Sequence, residues 1–191
     1  MRTAGLASLA FFYCDFRDNQ KKGLRGLLSS LLVQLCDQSD AYYGVLSDFY
    51  SEHGSGEEQA SDGELSRCLK NMLELPGQPI VYIVVDALDE CPRTANIPSP
   101  RDEALDLVEE LVSSRLSNLR ICVTSRPEAD IAPVLDPLVF RSISIHRERG
   151  QIQDIAEYIK SVVNTDREMR RRKARDKELV IDTLTEKADG M

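Results

Sequence analysis

One stretch of the sequence, residues 80–90, joins an apolar run directly to three carboxylates. The run Ile-Val-Tyr-Ile-Val-Val carries no charge and is mostly β-branched, and Asp86, Asp89 and Glu90 follow it. A run this apolar predicts a strand buried on both faces of a parallel α/β sheet. Open α/β sheets bind ligands at the carboxyl ends of their strands, where such acids hold Mg²⁺ and orient a water. The alternative is a core strand followed by a solvated acidic loop.

The length and charge of the chain limit the classes of function. Its 191 residues are enough for one domain with a full core. The net charge of −8, from 24 basic and 32 acidic residues, argues against a protein built mainly to bind nucleic acid. Because no apolar run reaches the roughly 18 residues of a membrane helix and no signal peptide is evident, we expect a cytoplasmic protein without a membrane anchor.

The five cysteines form no CxxC pair and lie far apart in the sequence. This odd number and wide spacing favour reduced thiols in a cytosolic chain over a disulfide framework, and argue against a zinc site. Cys14 and Cys122 lie in apolar, strand-like runs, so both are predicted to be core residues.

Strand and helix patterns alternate along the chain, which predicts parallel strands joined by right-handed crossovers. The apolar spacing predicts strands at 9–14, 80–86, 119–124 and 141–145, helices at 24–37, 42–50, 61–73, 104–116, 152–163 and 166–187, and a short helix or turn at 128–135. Ser61 and Glu64 match a capping box. We therefore expect an α/β core over 1–148 and the start of a helical extension over 149–191.

Polar side chains follow two of these strands. Asp86, Asp89 and Glu90 come after one strand, and Thr124 to Arg126 come after the next. Because the carboxyl ends of parallel strands meet at one sheet edge, the two groups are expected to converge. Acids for a metal and an arginine for a phosphate suit phosphoryl transfer.

These segments resemble a known family. Residues 84–91, Val-Val-Asp-Ala-Leu-Asp-Glu-Cys, resemble the Walker B motif of NACHT-type (STAND) signalling P-loop NTPases, and 123–128, Val-Thr-Ser-Arg-Pro-Glu, resemble the sensor strand of that family. Residues 11–16 are similar to the strand that precedes the Walker B unit, and 188–191 to the close of the first winged or helical segment. The resemblance covers nearly the whole chain and is strongest to the nephrocystin-3-like N-terminal domain of large fungal proteins that carry ankyrin or WD repeats.

The resemblance implies a fold, a cofactor and residue roles. The fold would be a three-layer P-loop NTPase-like parallel sheet followed by a helical segment, and the ligands Mg²⁺ and ATP or GTP. Asp86 would coordinate Mg²⁺ through a water, Glu90 or Asp89 would polarise the attacking water, and Arg126 would sense the γ-phosphate. For Arg126 the alternative is a pair with Glu128 or a backbone carbonyl. Ser125 either contacts the ligand or caps a following helix.

One departure from the family pattern concerns the phosphates. A P-loop needs Gly followed by Lys and then Ser or Thr, and no Gly in this sequence directly precedes a Lys. We therefore expect a sheet that lacks the Walker A strand, truncated just before the strand at 9–14, with weak nucleotide binding. Apolar faces that the missing elements would cover should then be exposed and drive self-association.

Three functions remain open at this point. The first is part of a NACHT signalling ATPase, a nucleotide-dependent oligomerisation switch. The second is a nucleotide-independent α/β interaction module or scaffold that binds other proteins. The third is a metal-dependent hydrolase or nuclease that uses Asp86, Asp89 and Glu90 alone. A basic cluster within 167–177 is interpreted as a solvated helix face, with a nucleic-acid or nuclear-import patch as the minor alternative.

Overall fold

The computed structural model describes residues 6–18, 23–52, 59–94, 98–144 and 149–188, with side chains in the last range from 153 onwards. These residues form an α/β structure with three parallel strands and seven α-helices. The strands are β1 (Ala7–Tyr13), β2 (Ile80–Asp86) and β3 (Leu119–Val123). The helices are α1 (Leu24–Cys36), α2 (Asp40–Glu52), α3 (Asp62–Leu73), α4 (Pro100–Ser113), α5 (Ala132–Leu135), α6 (Arg149–Thr165) and α7 (Ala174–Ala188).

The chain divides into two compact units, residues 1–139 and 140–191. The first contains the whole sheet and α1 to α5, and the second contains α6 and α7. The boundary predicted between residues 148 and 149 falls inside the second unit and stays a prediction.

Helix boundaries in the first unit follow local sequence signals. The predicted capping box of α3 is confirmed, since the Ser61 hydroxyl accepts from the Glu64 amide and the Glu64 carboxylate accepts from the Ser61 amide at 2.7 Å. Helix α4 begins with a second box, from Ser99 and Asp102, around Pro100. Each box supplies partners for amides that the first helical turn leaves unpaired.

The sheet has the order β1-β2-β3, so the strand that opens the acidic motif lies at its centre. Ala10 pairs with Ile83 across β1 and β2, and Ile83 with Ile121 across β2 and β3. The same pleat alternation decides which side chains are covered by helices α1, α3 and α4. The residues on the covered face are Ser8, Ala10, Phe12, Val81, Ile83, Val85 and Leu119.

The opposite face of the sheet is exposed, and this corrects two predictions. The run at 80–85 is buried on one face only, because Ile80 and Tyr82 are each 40% exposed. Cys122 lies on the same open face and is exposed, whereas Cys14 is buried as predicted. An apolar run predicts burial, but it does not say whether a second layer of helices covers the sheet.

The outer edge of β1 is paired by two side chains of α1. The Gln34 amide group accepts from the Phe11 amide (3.1 Å) and donates to the Phe11 carbonyl (2.7 Å). Gln38, one turn further on, makes the same two bonds with Leu9, at 2.9 and 2.8 Å. The two glutamines thus imitate a neighbouring strand and satisfy an edge that would otherwise present unpaired groups. Among the described residues, no strand or side-chain ladder of this kind pairs with the outer edge of β3.

The strand predicted at 141–145 is wrong for residues 141–144, which are irregular, and residue 145 lies outside the described residues. Residues 141–144 alternate in polarity, but a strand also needs a ladder partner, and the described chain supplies none beside them. The helix at 152–163 is confirmed as part of α6.

The helix predicted at 166–187 begins later than expected, at Ala174. Asp166 accepts hydrogen bonds from the amides of Glu168 and Met169, both at 2.9 Å, and a 3-10 turn follows at Met169–Arg171. The basic cluster therefore spans a turn and a helix start instead of one helix face. Its side chains are exposed apart from Lys177, which is half-buried.

None of the helices in the described part of the chain combines the length and the apolar character that crossing a membrane requires.

Candidate functional site

The carboxyl ends of β2 and β3 meet at one edge of the sheet, as the sequence predicts. Val85 pairs with Val123, so Asp86 and Thr124 leave the sheet side by side. The Thr124 hydroxyl donates to Asp86 Oδ1 and accepts from the Ala87 amide at 2.9 Å. Backbone bonds from Thr124 N to Val85 O and from Leu88 N to Thr124 O, both 2.9 Å, join the same two segments. Thr124 thus fixes the position of Asp86.

The chain turns sharply directly after Asp86. Ala87 has a left-handed backbone, with φ 55° and ψ 47°, and a 3-10 turn follows at Leu88–Glu90. Non-glycine residues rarely adopt this conformation, because the Cβ atom crowds the backbone. The turn is anchored by Leu88, which is fully buried, and by a bond from Glu90 N to Ala87 O at 2.8 Å. The tight turn brings Asp89 and Glu90 back to the sheet edge.

Asp89 and Arg126 form a pair across the two strand ends. Asp89 Oδ1 accepts from the Arg126 backbone amide at 3.0 Å, and Oδ2 lies 3.5 Å from Arg126 Nε. The Asp89 side chain is 10% exposed, whereas that of Arg126 is 79% exposed. Neither predicted alternative for Arg126, a pair with Glu128 or with a backbone carbonyl, is formed by its side chain in the described residues.

Glu90 is half-buried, and its carboxylate accepts no hydrogen bond from any described residue. The predicted helix cap at Ser125 is wrong. Its hydroxyl donates to the Arg126 carbonyl at 2.6 Å, and the next helix, α5, begins only at Ala132. A ligand contact for Ser125 stays a prediction.

The sequence interpretation missed Arg101, in the first turn of α4. Its guanidinium donates to both oxygens of Asp130, at 3.1 and 3.3 Å, to the Cys91 carbonyl at 3.0 Å and to the Asp89 carbonyl. With a side chain only 11% exposed, it ties the acidic turn to α4 and to the segment after β3. A cation at a helix N-terminus opposes the helix dipole, and this is the sequence signal that could have identified it.

Two thiols lie beneath the acidic turn. The Sγ atoms of Cys14 and Cys91 are 3.1 Å apart, and both residues are buried. The hydrogen bond between the two thiols lowers the pKa of Cys91, and the charge of Arg101 adds to this. The same hydrogen bond, together with burial, raises the pKa of Cys14.

The acidic turn opens on a depression of about 320 Å³. Its walls are formed by Phe16, Asp89, Glu90, Cys91, Pro92, Arg101, Arg126 and Glu128. A small anion or the end of a phosphate chain would meet both arginines and Glu90 here. Within the described residues, no three His, Cys, Asp or Glu side chains are arranged to hold a metal by themselves.

Comparison with known proteins found one family and one curated relative. The family described as Nephrocystin 3, N-terminal, matches residues 2–126. The vegetative incompatibility protein HET-E-1 of Podospora anserina is 25% identical over 158 residues, which cover 82% of this chain and 11% of that protein. The chain thus spans about a tenth of the length of that relative. No solved structure matches the chain significantly.

The two matches support a NACHT-related domain. Because the family match covers well over half of the sequence, the chain belongs to the nephrocystin 3, N-terminal family.

Proposed function

We propose that this chain carries the metal- and water-binding half of the nucleotide site of a NACHT-type signalling NTPase. The observation that carries the proposal is the meeting of two pairs at one sheet edge, Asp86 with Thr124 and Asp89 with Arg126. Acids and an arginine from adjacent parallel strand ends match the needs of phosphoryl transfer, in which charge develops on phosphate oxygens.

Asp86 fits the role of a magnesium ligand. Its Oδ1 is held by the Thr124 hydroxyl, and its Oδ2 accepts no hydrogen bond from the described residues. Mg²⁺ on a nucleotide commonly uses only one or two carboxylates, and phosphates and waters complete its octahedron. A single positioned carboxylate is therefore enough when the nucleotide supplies the other ligands, and too little for the metal alone.

Of the two acids that follow, Glu90 suits the attacking water better. The Asp89 carboxylate is already occupied by the amide and guanidinium of Arg126. Glu90 lines the same depression with a carboxylate that has no hydrogen bond to described residues, so it has a free acceptor for a water. We therefore assign water orientation to Glu90 and a positioning role to Asp89.

Arg126 suits phosphate recognition because its side chain is mostly exposed beside the depression. The Asp89 carboxylate would keep its bond to the Arg126 amide when the guanidinium turns to a phosphate. Exchange of one anionic partner for another requires no backbone movement.

Phosphate binding sets the limit of the proposal. Because no Gly-Lys pair occurs in the 191 residues, a phosphate loop would have to come from polypeptide outside them. Calorimetric titration of the chain with Mg·ATP and Mg·GTP tests this directly. We expect that binding does not saturate at micromolar nucleotide. A micromolar dissociation constant would contradict the proposal that these residues carry only half of the nucleotide site.

A second experiment examines the gene sequence upstream of codon 1. Any in-frame extension that encodes a Gly-Lys-Ser or Gly-Lys-Thr loop is then expressed together with the chain. The extended protein should bind Mg·nucleotide, and Asp86→Asn should weaken that binding. The matched control Asp106→Asn, on the exposed side of α4, should not.

A second function, a nucleotide-independent interaction module, is favoured by one observation. The open sheet face presents a group of exposed apolar residues. Among them, the rings of Phe11 and Tyr13 are in edge contact, with 5.5 Å between their centroids. A surface of this kind favours association. If the extended protein gains no nucleotide affinity while the chain self-associates through this face, the interaction module replaces the nucleotide site.

A further inference from the structure

The thiols of Cys14 and Cys91 form a pair that the proposed nucleotide site does not use. They are 77 residues apart in sequence, and their Sγ atoms are 3.1 Å apart. Cys14 follows β1, and Cys91 follows the 3-10 turn that carries Asp89 and Glu90. Two of the five cysteines are thus brought together at the acidic edge of the sheet.

The backbone holds both thiols in place. The Cys14 amide donates to the Asp86 carbonyl at 3.0 Å and so continues the pairing of β1 with β2. The Cys91 amide donates to the Leu88 carbonyl at 3.1 Å, and the Cys91 carbonyl accepts from Arg101 at 3.0 Å. A disulfide has an S–S length near 2.05 Å, so the two sulfurs need to approach by only about 1 Å.

Only one of the two residues lines the depression from which a reagent would approach. Cys91 lines the depression next to Arg101, whereas Cys14 is not among the residues of its wall. A cation next to a cysteine favours its thiolate, which is the reactive form. This arrangement gives Cys91 the position of the thiol that peroxide oxidises first and Cys14 that of the resolving thiol.

The other three cysteines lack this combination. Burial raises the pKa of Cys68 to about 11, which suppresses its thiolate. Burial also raises the pKa of Cys36, whose thiol donates to the Tyr42 carbonyl. Cys122 is exposed on the open sheet face, and no described thiol forms a contact with it.

We propose that Cys14 and Cys91 form a reversible oxidative modification site, closed to a disulfide by hydrogen peroxide and reopened by a dithiol reductant. The Cys91 thiolate attacks the peroxide O–O bond, which gives a sulfenic acid and hydroxide. The Cys14 thiol then attacks that sulfur; the S–S bond forms, the S–O bond breaks and water leaves. Both thiols lose their protons and together two electrons, and the peroxide is reduced to two waters.

The bond would tie the turn with Asp89 and Glu90 to the end of β1. The site goes beyond the proposed nucleotide function and does not depend on it, because disulfide formation is measured without nucleotide.

The test treats the reduced chain with equimolar hydrogen peroxide, alkylates the remaining thiols and maps the peptides without reductant. We expect a linked pair that contains Cys14 and Cys91, the loss of two of the five thiols, and full recovery after dithiothreitol. Absence of this linked pair overturns the proposal, whatever happens at Cys122.

Two variants test the order of the steps. In Cys14→Ser, Cys91 should accumulate as a sulfenic acid that dimedone traps, whereas the control Cys122→Ser should still form the disulfide. Dimedone labelling of Cys14 in Cys91→Ser, without labelling of Cys91 in Cys14→Ser, would contradict the assigned roles. If Cys14→Ser fails to fold, the wild-type peptide map alone decides whether the site exists.

Discussion

The Asp89 carboxylate binds the Arg126 backbone amide at 3.0 Å and lies 3.5 Å from the Nε atom of the same residue. One carboxylate thus holds both the main chain and the side chain of the residue that would meet the phosphate. The Asp89 side chain is only 10% exposed, whereas the Arg126 guanidinium belongs to a side chain that is 79% exposed, so the ion pair should be the weaker of the two contacts.

This difference gives a first prediction. Asp89→Ala leaves the Arg126 amide without its acceptor and should destabilise the chain by about 1–2 kcal/mol. Arg126→Ala removes only an exposed ion-pair partner and should cost less than about 0.5 kcal/mol. Urea unfolding of both variants measures this, and equal losses would mean that the ion pair carries the energy.

A second prediction concerns Thr124, which accepts from the Ala87 amide and donates to Asp86. Thr124→Val keeps the shape but leaves both groups unpaired, and should cost about 1–3 kcal/mol of unfolding free energy. Thr124→Ser keeps the hydroxyl and should lose less than half of that amount. Thermal unfolding of the two variants tests this, and the prediction fails if serine is as damaging as valine.

Arg101 gives a third prediction. Arg101→Lys keeps the charge but loses the fork that reaches Asp130 and the two carbonyls at once, so it should destabilise the chain by about 3 kcal/mol. Arg93 lies 3.8 Å from the same Asp130 but is 69% exposed, and is the matched control. Arg93→Lys should change stability by less than about 0.5 kcal/mol. Similar unfolding midpoints for the two lysine variants would remove Arg101 from the support of the turn.

The left-handed Ala87 gives a fourth prediction. Ala87→Val places a β-branched side chain at φ 55° and should cost about 1–2 kcal/mol or more, whereas Ala87→Gly should be neutral or stabilising by up to about 1 kcal/mol. Arg115, at φ 51° and away from the site, is the control, and Arg115→Gly should behave like Ala87→Gly. Urea unfolding measures all three variants. If Ala87→Gly destabilises the chain while Arg115→Gly does not, this account of the turn is contradicted.

The open sheet face gives a fifth prediction, on association. Tyr82 lies on that face, and Tyr82→Glu should shift the chain towards monomer in sedimentation velocity, because it places a charge in the apolar surface. Tyr50→Glu, at an exposed site on α2, should leave the distribution unchanged. A wild-type chain that is already a monodisperse monomer would contradict the prediction.

The contacts of the site that can be predicted from the sequence are those that follow from the order of the strands. Asp86 and Thr124 end neighbouring parallel strands, and apolar runs with flanking turns identify both strands. The sequence does not show which face of the central strand is buried. Val81 and Tyr82 are both part of one apolar run, but helices cover Val81 and leave Tyr82 exposed. For the same reason the sequence wrongly predicts Cys122 as a core residue.

The local sequence does not fix the conformation of Ala87 or the partners of Arg101. Ala87 carries no residue preference for the left-handed conformation that the turn requires. Arg101 binds Asp130, 29 residues further along the chain, so its role depends on tertiary packing. Such contacts are fixed only when α4 and the segment after β3 come together.

The most direct measurement of the central claim is paramagnetic broadening of backbone amide signals by Mn·ATP, which detects binding too weak for calorimetry. We predict that broadening concentrates at 86–91 and 124–126 and is lost in Asp86→Asn, while Asp106→Asn behaves like wild type. Broadening spread over the acidic helix surfaces, or unchanged in Asp86→Asn, would contradict a nucleotide-linked metal site at these strand ends.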